Sequence, residues 1–190
     1  EAVLSWLQQN GPKLGIDPQR MAIGGDSAGA NMAIATCLKL RDSEFLPPVR
    51  AMVLNYGAFD GSSAFEAKEV ETNEDYLLTH EEMKGFWRNY LRGVADLHNP
   101  LACPALANLH GLPSAFMVIA DCDILLEENV AMATRLEQAG VDVKAVVYPG
   151  TTHSFLEAVL VAQVSNRALD ETSSWLVAEL SKGNTGSRTD

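Results

Sequence analysis

Apolar residues along the chain follow two patterns, short continuous runs and helical spacings, and the two patterns alternate. Continuous runs are typical of strands buried on both faces, whereas apolar residues three or four positions apart indicate one face of a helix. The runs predict strands at residues 21–25, 49–56, 116–120 and 141–148, the last ended by Pro149 and Gly150. The spacings predict helices at residues 2–14, 28–40, 125–139 and 160–175. Strands that alternate with helices indicate an α/β fold whose mainly parallel sheet is covered on both faces.

One long segment, residues 57–99, interrupts this alternation. Within it, Thr79 and Glu82 have the spacing of a capping box, which predicts a helix that runs to about Leu91. In α/β folds the connections at the carboxyl ends of strands carry many of the residues that contact substrates. We therefore expect this segment to border a binding site.

Composition and charge exclude several classes of protein. The 190 residues are 47% apolar and 21% charged, as in soluble globular proteins, and the net charge of −11 argues against a nucleic-acid partner. No apolar run approaches the roughly 20 residues of a membrane-spanning helix. The three cysteines form no CxxC pair, which argues against a structural zinc site or a disulfide framework and favours a reducing, cytoplasmic compartment.

The candidate nucleophile lies in the sequence Gly25-Asp26-Ser27-Ala28-Gly29, between a predicted strand and a predicted helix. A G-x-S-x-G pattern in this context places a serine on a sharp strand-to-helix turn, where glycine neighbours leave room for the turn. The serine Oγ is then presented above the sheet, at the positive end of the helix dipole. A phosphate-binding loop is excluded because Ala30 stands where that motif requires lysine.

A serine nucleophile requires a general base, and the base requires a carboxylate that orients it. His153 follows a predicted strand and precedes a predicted helix, as Ser27 does. The remaining histidines lie in loops or at the start of a helix: His80, His98 and His110. Asp121 and Asp123 both follow the third strand, and either suits the role of the acid or of a helix N-cap. The chain order Ser, Asp, His is that of α/β-hydrolases.

Three segments share motifs with one family: GDSAG at residues 25–29, DILLEE at 123–128 and YPGTTHSF at 148–155. Together they resemble the hormone-sensitive-lipase-like (GDXG) esterases, and most closely the bacterial acetyl esterases, from residue 1 to about residue 180. The resemblance implies an α/β-hydrolase fold with Ser27 as nucleophile, Asp123 as acid and His153 as base, and it implies no metal or organic cofactor. Ile124 and Ser154 replace a proline and a glycine that are usual in the family.

The resemblance also implies where the oxyanion of the reaction is bound. In this family the donors are the N–H of the residue after the nucleophile, here Ala28, and a His-Gly-Gly-Gly loop well upstream, which residues 1–190 do not contain. We therefore expect residues 1–181 to be the C-terminal part of an α/β-hydrolase domain, without its N-terminal strands and oxyanion loop. Residues 182–190 are expected to be a disordered tail.

The predicted function is hydrolysis of short-chain acyl esters, such as acetyl esters, through an acyl-enzyme, with weak or no activity for residues 1–190 alone. Two alternatives remain: a non-catalytic hydrolase-fold module that binds a ligand or partner, and a serine peptidase on the same fold, which the motifs favour less. The last strand is expected at a sheet edge beside the last helix, where related esterases often dimerise. We therefore expect a homodimer through these two elements.

Overall fold

A parallel four-stranded sheet forms the centre of the protein, as the apolar runs predicted. The computed structural model describes residues 1–43, 49–66 and 76–182. The strands of this part of the chain are β1 (Met21–Asp26), β2 (Val49–Asn55), β3 (Ser114–Cys122) and β4 (Val143–Thr152). They lie in the order β1-β2-β3-β4, and each neighbouring pair is parallel.

Helices cover both faces of this sheet. The α-helices within the described ranges are α1 (Ala2–Asn10), α2 (Ala28–Arg41), α3 (Gly61–Glu66), α4 (His80–Tyr90), α5 (Leu126–Gln138) and α6 (Gln163–Ser181). Short 3-10 turns lie at Gly11–Leu14, Val94–His98, Pro104–Leu106 and Phe155–Ala158. The predicted first helix thus ends at Asn10 and continues as a 3-10 turn, because Pro12 has no N–H to extend the α-helical hydrogen bonds.

The central strand β3 explains the continuous apolar runs. Successive side chains of a strand point to opposite faces, so Met117 packs with the core under α2 and α5, whereas Phe116 and Val118 pack with the core under α6. Both faces of β3 are therefore buried, and polar residues have no solvated face to occupy. This confirms the predicted parallel sheet with helices on both sides.

The last strand is longer than predicted, and the expectation that Pro149 and Gly150 end it was wrong. β4 continues to Thr152, and its register against β3 shifts between Ala120 and Cys122. A proline is tolerated in an edge strand or at a bulge, because one side of the residue needs no hydrogen bond there. Gly150 adopts the positive φ of 72° that the irregularity requires.

The segment after β2 forms a separate small core at the carboxyl end of the sheet. Thr79 caps α4 as predicted: its Oγ1 accepts a hydrogen bond from the N–H of Glu82 at 3.2 Å, and Glu82 accepts one from the N–H of Thr79 at 2.9 Å. Met83 and Trp87 on one face of α4 are buried in this core. The capping box therefore sets the start of a helix that lies beside the candidate site.

The outer strands of the sheet are β1 and β4. Within the described residues β1 pairs only with β2, and β4 pairs only with β3. Residues 183–190, which make up most of the expected tail, lie outside the described ranges. The expected division of the domain, with strands and an oxyanion loop outside residues 1–190, stays a prediction.

No helix in the described part of the chain combines the length and the apolar character needed to cross a membrane.

Candidate active site

The three predicted site residues each follow the last residue of a strand. Ser27 follows β1, Asp123 follows β3 and His153 follows β4. Because the strands are parallel, their carboxyl ends meet at one edge of the sheet. The fold therefore brings the three residues to the same rim.

Asp123 and His153 are hydrogen-bonded to each other. The distance from His153 Nδ1 to Asp123 Oδ2 is 2.6 Å, and both side chains are buried, with exposed fractions of 9% for His153 and 2% for Asp123. The other carboxylate oxygen of Asp123 accepts the N–H of Leu125 at 3.0 Å. An ionised carboxylate only accepts hydrogen bonds, so this geometry places a proton on Nδ1 and leaves Nε2 as the acceptor.

Asp121 was the other candidate for the acid in the sequence, and it has a different partner. Its Oδ1 accepts the N–H of Thr151 at 3.0 Å, which supports the irregular part of β4. Burial acts to raise the pKa of Asp121, but hydrogen bonds from the N–H groups of Gly150 and Thr151 outweigh it and hold the pKa below its ordinary value. The acid that contacts the histidine is therefore the one that the resemblance selected.

Ser27 lies on the strained turn that the G-x-S-x-G pattern predicts. Its φ of 55° and ψ of −115° are unusual for a residue with a side chain, and backbone contacts hold it there. The N–H of Ser27 donates to the carbonyl of Asn55 at 2.9 Å, and its carbonyl accepts the N–H of Ala30 at 3.1 Å. Ala28 begins α2, and the first N–H groups of a helix lack partners within it, so this N–H suits an oxyanion donor.

The two glycines of the pattern have different structural roles. A Cβ on Gly25 would lie 2.5 Å from the carbonyl carbon of Gly29, far closer than real contacts allow. A Cβ on Gly29 would meet no atom within 4 Å. The close packing of β1 against α2 therefore requires a glycine at position 25 but not at position 29.

Residues 55–60, which we call the rim segment, connect the serine turn to the helix that follows Asp123. At its start, Asn55 Nδ2 and the Tyr56 hydroxyl donate to the two carboxylate oxygens of Asp26 at 2.7 and 3.0 Å. Asn31 Nδ2 on α2 donates to the carbonyl of Ala58 at 2.8 Å. The rim segment is therefore held on one side by β1 and α2.

On its other side the rim segment is held by α5. Asn129 accepts the N–H of Gly57 at 2.9 Å and donates to the carbonyl of the same residue at 2.8 Å. Glu128 accepts the N–H groups of Phe59 and of Asp60, the second at 2.7 Å, and the hydroxyl of Ser63. Burial raises the pKa of Glu128 to about 7, although the N–H groups favour its ionised form.

An apolar cavity of about 340 Å³ lies beside the serine. Helix α4 forms one wall and the start of α2 the other, and the cavity is lined by Ser27, Ala28, Asn31, Met32, Ala58, Met83, Phe86, Trp87 and Tyr90. The cavity suits a small apolar group positioned next to Ser27.

Within the described ranges, no cluster of three or more His, Cys, Asp or Glu side chains has a geometry that could hold a metal ion.

Sequence reasoning assigned no role to several polar residues that shape this site. Asn31 and Asn129 are buried polar positions in helices that are otherwise apolar toward the core, which is a detectable signal of a specific partner. Glu128 lies in the DILLEE segment, but its partners are 65 to 69 residues away in the chain, so spacing could not identify them. Tyr56 was expected only as the end of a strand.

Comparisons with known proteins agree with the fold described above. A family model described as the alpha/beta hydrolase fold matches residues 1–157. An ethyl acetate hydrolase of Pseudomonas putida is 33% identical over 165 residues, which cover 86% of this chain and 52% of that protein. An acetyl esterase of Salmonella paratyphi B is 26% identical over 181 residues, which cover 94% of this chain and 56% of that protein.

Solved structures have the same fold. A thermophilic and thermostable carboxylesterase cloned from a metagenomic library superimposes with a TM-score of 0.84 at 30% identity, over 94% of this chain and 61% of that one. These findings confirm the resemblance and the predicted fold class. The chain spans about half the length of the curated relatives it matches.

Substitution of the two glycines is expected to separate their roles. Gly25→Ala forces a Cβ into the backbone of α2 and should lower the free energy of unfolding by about 3 kcal/mol or more. Gly29→Ala is the matched control, and because its Cβ has room it should raise the free energy of unfolding by about 0.5–1 kcal/mol through helix propensity. Urea unfolding of both variants tests this, and equal losses would contradict it.

Glu128 is expected to make stability depend on pH. An unfolded chain ionises this carboxyl near its ordinary pKa of 4.5, but the folded protein ionises it near 7, so the free energy of unfolding should fall as pH rises between these values. Glu128→Gln keeps an acceptor for both N–H groups and should remove this contribution. Urea unfolding at about pH 5 and about pH 8 measures the difference.

The control for this prediction is Glu127→Gln, because Glu127 is exposed on the same helix. It should retain the pH dependence of the unsubstituted protein. If Glu128→Gln and Glu127→Gln show the same dependence, Glu128 does not titrate as described.

Proposed function

The chain belongs to the α/β-hydrolase family, and from this premise we propose that it carries the catalytic triad of a serine carboxylesterase that hydrolyses short-chain acyl esters. The observation that carries the proposal is the buried pair of Asp123 and His153, 2.6 Å apart, at the same sheet rim as the strained Ser27. Nucleophile, base and orienting acid are the groups that acyl transfer to a serine requires.

In the proposed mechanism, Ser27 Oγ attacks the ester carbonyl carbon while His153 Nε2 takes the hydroxyl proton. Asp123 holds the imidazole through Nδ1 and stabilises the imidazolium that forms. The N–H of Ala28 donates to the oxyanion of the tetrahedral intermediate. The imidazolium then protonates the leaving alcohol, and a water molecule activated by His153 hydrolyses the acyl-enzyme.

The cavity beside Ser27 supports an apolar acyl group as substrate. Its wall of apolar side chains offers no charged partner, and burial of a methylene group there is worth about 0.8 kcal/mol. At about 340 Å³ the cavity has room for a group larger than acetyl. We therefore propose esters with short acyl chains as the substrate class.

Substitutions at the rim are expected to test the triad directly. Ser27→Ala should abolish labelling by a serine-directed phosphonate. Asp123→Asn should lower kcat for a chromogenic acetyl ester by about 10⁴-fold, because the amide can donate to Nδ1 and so hold the imidazole in the wrong tautomer. Rates are measured for residues 1–190 alone and together with the upstream segment of a full-length relative. A second oxyanion donor supplied by that segment should raise kcat by roughly 10²–10³-fold.

The matched control is Asp121→Asn, which keeps an acceptor for the N–H of Thr151. Its rates should equal those of the unsubstituted chain. Equal losses for Asp121→Asn and Asp123→Asn, or phosphonate labelling that survives Ser27→Ala, would contradict the triad. Ligand binding without labelling or turnover in either preparation would favour a non-catalytic module.

We also propose a cytoplasmic protein that works as a homodimer. Cys37 and Cys103 are buried thiols outside any disulfide, which suits a reducing compartment. The outer side of β4 has no partner strand within the described residues, and Val147 and Val177 on β4 and α6 are 43% and 67% exposed. A two-fold axis along this edge would pair β4 with its copy and cover both valines.

Sedimentation velocity at tens of micromolar is expected to show a dimer that Val147→Asp dissociates, because a charge would be buried at the interface. Val3→Asp is the matched control, since Val3 is 70% exposed on α1, which packs beside β1 at the opposite edge of the sheet. It should remain dimeric. A monomer for the unsubstituted chain would contradict the proposal.

A further inference from the structure

Tyr56 joins the serine turn to the histidine ring. Its side chain is only 1% exposed, and its hydroxyl donates to Asp26, the residue before Ser27, at 3.0 Å. Its ring lies 5.1 Å from the ring of His153 at an interplanar angle of 60°, an edge contact. One side chain thus contacts both the turn that carries the proposed nucleophile and the proposed base.

The backbone of Tyr56 is strained. Its φ is 36°, which is unusual for a bulky residue and persists only where surrounding contacts compensate for it. Its N–H donates to the carbonyl of Val118 at 2.7 Å, and Asn55 before it accepts the N–H of Ser27. This backbone conformation directs a large ring to the rim at the point where β2 ends.

The electrostatic surroundings keep the Tyr56 hydroxyl a donor. Burial raises the pKa of the phenol far above its ordinary value, and the carboxylates of Asp26, Glu157 and Asp123 raise it further. The phenol is therefore neutral at every pH at which a serine esterase works. A neutral phenol retains the proton that it donates to Asp26.

The hydrogen bond between Asp123 and His153 restrains the distance from Nδ1 to the carboxylate but leaves some freedom in the two side-chain torsions of His153. Coupled changes of χ1 and χ2 can keep that distance while they tilt the ring and displace Nε2. A second contact on the ring restricts this tilt. Within the described residues, the Tyr56 ring supplies an aromatic contact of this kind.

We propose that Tyr56 is a positioning residue: its ring sets the plane of the His153 imidazole, and its hydroxyl bond to Asp26 ties that plane to the Ser27 turn. This inference rests on the proposed function. It predicts that Tyr56 acts on the chemical step and not on substrate binding, because it does not line the cavity beside Ser27.

Tyr148 provides a matched control. It is also 1% exposed in the same core, and its hydroxyl also donates to a carboxylate, that of Glu171, at 2.7 Å. Its ring contacts Phe155, as the ring of Tyr56 does. Loss of a buried tyrosine can therefore be compared at two positions, of which one contacts His153.

The test measures Tyr56→Phe, Tyr56→Leu, Tyr148→Phe and Tyr148→Leu in residues 1–190, alone and together with the upstream segment of a full-length relative. The measured quantities are the rate constant for phosphonate labelling of Ser27, kcat and KM for an acetyl ester, and the urea unfolding midpoint. Tyr56→Leu should lower kcat and the labelling rate by roughly 10²-fold with KM unchanged, the loss typical of a misplaced catalytic group. Tyr56→Phe, which keeps the ring, should restore most of that rate and remain several-fold below the unsubstituted chain.

The Tyr148 variants should lower the unfolding midpoint as much as the Tyr56 variants do, with unchanged kcat and labelling rate. Equal rate losses at the two positions would overturn the proposal, because they would indicate a structural effect. An unchanged labelling rate in Tyr56→Phe would also overturn it, even if Tyr56→Leu does not fold. Failure of the proposed function is distinguishable. The unsubstituted chain would then show neither turnover nor labelling, or Ser27→Ala would keep full ester hydrolysis, whatever the Tyr56 variants do.

Discussion

The close approach of Gly25 to the backbone of Gly29 is the constraint on which the site depends. A chain that leaves a strand and enters a helix within one residue must bring the two elements into contact, and a Cβ at residue 25 would lie 2.5 Å from the helix backbone. This strand-to-helix turn holds Ser27 at a φ of 55°. A hydrogen bond that the Ser27 N–H donates to Asn55 at the end of β2 stabilises that conformation, so the fold itself sets the position of the proposed nucleophile.

The rim segment shows how an irregular stretch of backbone is stabilised inside a protein. Beyond Tyr56, its N–H and C=O groups lie outside the strand ladder and the helices, and buried groups without partners are costly. The side chains of Asn31, Glu128 and Asn129 supply those partners from two different helices. The polar residues that interrupt the helix cores are therefore part of the site's support.

The sequence predicted the four strands and the rim positions of Ser27, Asp123 and His153, because apolar runs and strand ends are local properties. It could not predict that β4 continues through Pro149, since tolerance of proline depends on the neighbours of the strand in the sheet. The ring contact of Tyr56 with His153 likewise joins residues far apart in the chain. Contacts of this kind follow from register and bulges, which the sequence does not display.

The strand order places Ser27 and His153 after the two outer strands of the described sheet. Ser27 follows β1, which pairs there only with β2, and His153 follows β4, which pairs there only with β3. Terminal elements open more readily than central ones, and local opening of this kind is visible in hydrogen exchange. Transient detachment of β4 would carry the imidazole away, and detachment of β1 would carry the serine turn away. The lifetime of the proposed triad is therefore limited by fraying of either outer strand and not by global unfolding.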